Sequence, residues 1–313
     1  MNKLFTTFLI IITSISINIK AQSIWQWQQP QPTGNLMWAT DFVDENTGYA
    51  GGDLGTIIKT NNGGLNWSVK NINPNYQILG IHFINGSTGL VVGNDNGKMY
   101  KTSDGGENWT LVLTANSTLR DVDFATNTLG FAVGLGGKIF KTTNGGDLWN
   151  QISSQTLNNL FSIDMFDSLN GIVGGGNYLS KTSNGGINWV VQNITYQNIF
   201  SQIVSVNFVN LLSQFALTGS DDSLFITTNG GLNWRGKFLF EGENDLYRAI
   251  SFINPDTGIL VLDHGNIRMT HNAGTNWLTN STYRTRYNQP NIFWQENLLI
   301  LKLHMYADQE AEL

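Results

Sequence analysis

One eight-residue pattern, Ser/Thr-x-Asp/Asn-x-Gly-x-x-Trp, occurs six times in the chain, beginning at Thr60, Thr102, Thr142, Thr182, Thr227 and Thr270. Its third positions are Asn62, Asp104, Asn144, Asn184, Asn229 and Asn272, and its last are Trp67, Trp109, Trp149, Trp189, Trp234 and Trp277. Each residue type has a physical reason. An Asn or Asp side chain bonds backbone N–H groups two residues on and pins a tight turn. Gly supplies positive φ without a Cβ clash. Thr suits a strand end, and Trp brings a large ring to bury with a polar N–H at its edge. The pattern therefore reads as strand, hairpin, strand, with Trp as anchor.

The six Trp residues are 42, 40, 40, 45 and 43 residues apart. A period of about 40–45 residues with strand-like patterning is the mark of four-stranded propeller blades. In the third period, Leu119–Phe124 alternates apolar and polar, Gly130–Gly134 is a short apolar run, and Lys138–Thr142 alternates into the hairpin. First strands recur at Trp38–Phe42, Leu79–Phe83, Ser162–Phe166, Val204–Phe208 and Arg248–Phe252. Trp25 lies 17 residues before Phe42, and Phe293 lies 16 residues after Trp277. These spacings predict an all-β, seven-bladed propeller over residues 22–303. Its seventh blade is incomplete, built from Asn291–Trp294 and Leu298–Leu303 and closed by an N-terminal strand, Ile24–Gln28. Residues 304–313 carry no further copy of the pattern, and a six-bladed propeller is the alternative.

Residues 1–21 read as a cleaved signal peptide: Lys3, then a largely apolar Phe5–Ile17, then Ala21 before Gln22. The apolar stretch is shorter than the roughly 20 residues of a spanning helix. The expectation is a secreted, periplasmic or cell-surface protein with no integral membrane segment after cleavage. The chain has no Cys, so packing alone must hold it outside the cell. A net charge of −6 and the lack of a basic run argue against nucleic acid.

The stretches FVDENTGYAGGDLGTIIKTNNGGLNW (42–67) and FATNTLGFAVGLGGKIFKTTNGGDLW (124–149) resemble the photosystem II stability/assembly factor family of Asp-box (BNR-type) propellers. That resemblance covers about residues 22–303. It implies the repeat and the propeller fold, while six intact boxes with no constellation of catalytic residues point to a non-catalytic scaffold that binds a protein partner. Family members active in photosystem assembly resemble a seven-bladed ring with an Arg-rich face. Here the arginines are Arg120, Arg235, Arg248, Arg268, Arg284 and Arg286, spread over several blades. The Trp-Asp signature of WD40 repeats is missing after all six Trp residues.

Asp boxes also occur in sialidases and xyloglucanases, which makes a carbohydrate-binding protein or glycoside hydrolase the alternative function. Sialidase chemistry needs three clustered Arg, a Tyr nucleophile and acids, and the only dense Arg/Tyr segment is Tyr283–Tyr287. Asp121, Asp123 and Asp164 sit on first strands and are expected to face a solvated channel. Asn94–Gly97 lacks the EF-hand pattern, and His82, His264, His271 and His304 show no ligand spacing. No catalytic residue, metal or cofactor is expected. The candidate surface is the channel mouth, where loops between second and third strands gather with those between blades. Its binding residues would be Asp53, Asp95, Asp221, Asp222, Asp263, Tyr76, Tyr196 and Tyr247, and its partner a protein or a surface glycan.

Overall fold

The structure, a computed structural model, describes residues 32–194, 202–219, 223–239, 246–262 and 267–279. They form six four-stranded antiparallel sheets, each a meander in chain order. First strands are Met37–Phe42, Ile78–Phe83, Leu119–Phe124, Ser162–Met165, Ile203–Phe208 and Tyr247–Phe252. Successive first strands lie side by side, so the blades follow one another around a common channel.

The expectation of seven blades is corrected to six. Each sheet is built around one box, and the chain has six boxes. The spacings of Trp25 and Phe293 reproduce only the columns of a fourth and a first strand, with no box to join a third strand to a fourth. Ile24–Gln28, Asn291–Trp294 and Leu298–Leu303 lie outside the described residues, as do the expected leader and the tail.

In all six boxes the Thr side chain is buried and uses both its capacities. In the first box, Thr60 Oγ1 donates to Asn62 Oδ1 at 3.0 Å and accepts from Gly64 N at 2.8 Å. The same pair recurs through the sixth, where Thr270 donates to Asn272 and accepts from Gly274 N. The Asn acceptor reaches four residues on rather than the expected two: Asn66 N donates to Asn62 Oδ1 at 2.9 Å. The Thr hydroxyl takes the nearer amide, that of Asn62, at 3.3 Å. Where the acceptor is Asp104, the Asn108 amide and side chain hold its carboxyl down at about 2.

The fourth box position has φ between 64° and 72° in the five boxes that carry Gly there, but the sixth has Ala273 at φ 53°. A left-handed non-Gly residue costs about 1–2 kcal/mol, partly offset by the chain entropy that Gly adds to the unfolded state. Ala273→Gly is therefore expected to raise stability by about 0.5–1 kcal/mol, read from the urea midpoint at unchanged slope.

Five core clusters lie between successive blades, while Met37, Phe42, Ala50 and Ile58 gather on blade 1 and Ile259 and Val261 on blade 6. Leu90, Val92 and Met99 of blade 2 pack with Leu119, Val122 and Phe124 of blade 3, and the other junctions repeat this. Polar staples cross the same junctions one repeat apart. Asp41 Oδ2 accepts from Phe83 N at 2.6 Å, Asp123 Oδ2 from Met165 N at 2.7 Å, and Asp164 Oδ2 from Phe208 N at 2.7 Å. Asn207 Oδ1 does the same for Phe252 N at 2.8 Å. These first-strand acids thus hold the next blade, and Asp123 and Asp164 do so while only partly buried.

A second set of bonds works at the outer ends. Lys59, Lys141 and Lys181, each just before a box Thr, donate to Gly105 O (3.0 Å), Gly185 O (2.6 Å) and Gly230 O (3.0 Å) in the following box. Lys101 instead reaches the exposed Asp147 carboxylate at 2.6 Å. In blade 5 the matching place holds Ile226, and Lys237 on the fourth strand reaches Gly274 O at 2.7 Å.

Candidate functional site

The expected loop residues divide. Asp53 stands in the turn after the second strand of blade 1, where its Oδ1 accepts from Trp38 Nε1 at 2.6 Å and Gln77 Nε2 at 2.7 Å. Asp95 pairs with Lys98 at 2.5 Å. Tyr76 and Tyr247 are buried, at 1% and 0% exposure. The Tyr76 hydroxyl donates to Lys98 O at 2.6 Å, and burial holds its pKa well above the ordinary value. Both tyrosines are therefore packing anchors beneath the surface. Tyr247 follows a column of first-strand residues, Met37, Ile78, Leu119 and Ile203, that are all apolar and buried. That column is the signal that separates it from a surface loop. Asp221, Asp222, Asp263 and Tyr196 lie outside the described residues.

What the fold assembles instead is a ring at one register position. Five first strands skip a residue in their pairing to the second strand: Trp38, Leu79, Arg120, Val204 and Arg248. In blade 4 the matching residue is Phe161, immediately before the strand. A bulge leaves its extra residue unpaired and re-aims the side chain. All six line one cavity of about 340 Å³ at the channel mouth. This is the end at which the second-to-third strand turns stand, since Leu119 pairs with Gly134 just before the turn at Leu135–Gly137.

The mouth therefore carries two guanidinium groups among apolar and aromatic side chains. Arg120 lies over the Phe161 ring at 5.2 Å, and burial lowers its pKa while leaving it a cation. Beside it stands Asp121, whose Oδ2 accepts from Ile163 N at 2.9 Å and Oδ1 from Val122 N at 2.9 Å. Burial pushes the Asp121 carboxyl up to about 7, with the Ile163 amide opposing and Asp123 adding to the rise. Ser162 and Ser205, at the same register in the next two blades, accept the matching bonds from Val206 N and Ile250 N without a charge. Arg120 and Arg248, far apart in sequence, are brought to one opening; Arg268 is buried in a third strand. Among the described residues there is no cluster of three or more metal-ligating side chains and no helix long and apolar enough to cross a membrane.

A family profile described as photosynthesis system II assembly factor YCF48 matches residues 17–116, 110–190 and 148–284. The chain belongs to the YCF48 family. Solved structures similar to it include two of YCF48 itself. One, YCF48 bound to D1 peptide, has a TM-score of 0.68 and 17% identity, covering 84% of this chain and 85% of that one. The other, YCF48 from Cyanidioschyzon merolae, has a TM-score of 0.67 and 17% identity, covering 82% and 88%. An ancestral GH74 enzyme shares the fold at a TM-score of 0.64 and 18% identity, but only 39% of that chain is covered. No curated protein matches the sequence. The YCF48-family repeat accounts for the boxes and the blades.

Proposed function

We propose that this YCF48-family chain is an exported, non-catalytic scaffold that holds a segment of a protein partner at the channel mouth. The observation that carries the reading is the bulged ring, which turns Trp38, Arg120, Phe161 and Arg248 toward one opening. Two arginines among aromatic side chains suit a chain segment bearing a carboxylate and apolar groups. That a YCF48 structure holds a D1 peptide supports a peptide as ligand. Residues 1–21, with their n-region, apolar core and small residue before Gln22, support export.

Glycoside hydrolysis fits the mouth poorly. It needs two carboxyl groups across a cleft, and among the described lining residues Asp121 is the only acid, with both oxygens engaged by backbone amides.

Titration calorimetry with the D1 peptide that the YCF48 relative holds tests the reading. Arg120→Ala and Arg248→Ala are each expected to weaken binding about tenfold or more, the worth of a charge-assisted bond. Equal binding by wild type and both variants would overturn it. So would hydrolysis of aryl glycosides that is lost in Asp121→Asn.

A further inference from the structure

Next to the mouth, between blades 1 and 2, lies a second hollow of about 510 Å³. Its wall carries Asn35, Asp53, Gln77 and Asn94, and its rim carries Leu54 and Pro74. Leu54 is the unusual member. It is 54% exposed, and it holds a left-handed backbone at φ 55°. At the matching places in the next two turns stand Asn96 and Gly136, at φ 62° and 69°. Asn and Gly adopt that conformation readily, whereas a Leu there is strained. An exposed apolar side chain kept at a strained position gains nothing for the fold, and strain of this kind gathers at binding sites.

The hollow is tied to the mouth by a single atom. Asp53 Oδ1 accepts from Trp38 Nε1, whose ring lines the mouth, and from Gln77 Nε2, whose side chain lines the hollow. Its chemistry differs from that of the mouth. No Lys or Arg is among its described lining residues, so it is not built for an anion. Side-chain amides pair a donor with an acceptor, as a peptide backbone does. Asn94 Oδ1 is taken by Gln77 N at 2.8 Å, and the Asn94 NH2 makes no bond among the described residues. Among the described lining residues the one aromatic ring, Tyr76, is buried, so aliphatic Leu54 and Pro74 form the rim rather than the flat face a sugar stacks on.

We propose that this hollow is a second subsite. In it an extended polypeptide lays its backbone against the amide wall and one apolar side chain against Leu54, continuous with the segment in the mouth. Asp53 acts as the positioning residue that sets Trp38 and Gln77 together. This rests on the mouth being a peptide site, and the test separates the two.

A phage-displayed library of random twelve-residue peptides is selected on the full chain, and each binder is measured by calorimetry against Leu54→Gly, Arg120→Ala and Arg248→Ala. Leu54→Gly is expected to melt no lower than wild type, because Gly relieves the strain, yet to bind about tenfold or more weakly through loss of the buried Leu contact. Binders weakened by the Arg variants but not by Leu54→Gly overturn the second subsite and leave the mouth reading standing. A library that yields no binder overturns both. A glycan array that binds wild type and not Leu54→Gly, without peptide binders, overturns the peptide assignment of the hollow.

Discussion

Trp149→Ala is expected to destabilise the protein by about 3–5 kcal/mol, the usual cost of emptying a buried aromatic site. The Trp149 ring is 6% exposed and meets Phe124 edge-on at 5.9 Å and 88°. Its Nε1 donates to Gly146 O at 3.0 Å, which closes the hairpin over the ring. The same cluster holds Leu90 and Met99 of blade 2. The cavity would therefore open at the junction of two blades, where neither sheet can collapse alone to fill it. Urea midpoints at a constant slope measure the loss. A change under about 1 kcal/mol would mean that the ring is not an anchor.

Asp121→Asn should change how stability depends on pH. The carboxyl stands near 7 in the folded chain, and an unfolded Asp titrates near 3.9. Between those values the folded state holds a proton that the unfolded chain has released, so unfolding sets a proton free and rising pH favours it. Stability should fall from about pH 4 to pH 7, and above pH 7 the full cost of an ionised, poorly solvated group remains. Asn keeps an acceptor for the Ile163 amide and loses the one for Val122. The variant should therefore be about 1–3 kcal/mol more stable than wild type at pH 8, and it should not show the decline between pH 4 and 7. Asp104, held down at about 2, works in the opposite sense. Its contribution disappears as pH falls below 4, and it is common to both proteins. Guanidinium melts at pH 5 and pH 8 give the answer; parallel wild-type and variant profiles would exclude the shift.

The blades were legible in the sequence because each box is local. Thr, Asn and Gly lie within five residues of one another, and the bonds among them need no other part of the chain. The count of blades was read less well. The positions of Trp25 and Phe293 match two columns of the repeat, but a column is only a distance along the chain, and the box is what joins a third strand to a fourth. The site was hardest to read. A bulge displaces one residue in a strand whose alternation otherwise looks regular, and nothing local marks Arg120 as skipped. Arg120 and Arg248 read as scattered because what unites them is a register position three blades apart. The staples made by Asp123 and Asp164 were hidden for the same reason: their partners, Met165 and Phe208, lie one repeat away.

The lysines at the outer ends bear on how such a chain grows. Lys59, Lys141 and Lys181 each belong to one blade and hold the box of the next. A copied blade thus carries a donor for its successor and an acceptor for its predecessor, and it is complete only between neighbours. Where the donor column holds Ile226, Lys237 on the neighbouring strand does the same work. What persists is a cation held against the following box, while both the residue that supplies it and the oxygen that receives it are free to drift. An alignment of the repeats by column would score blade 5 as having lost its lysine, although the junction it guards is intact.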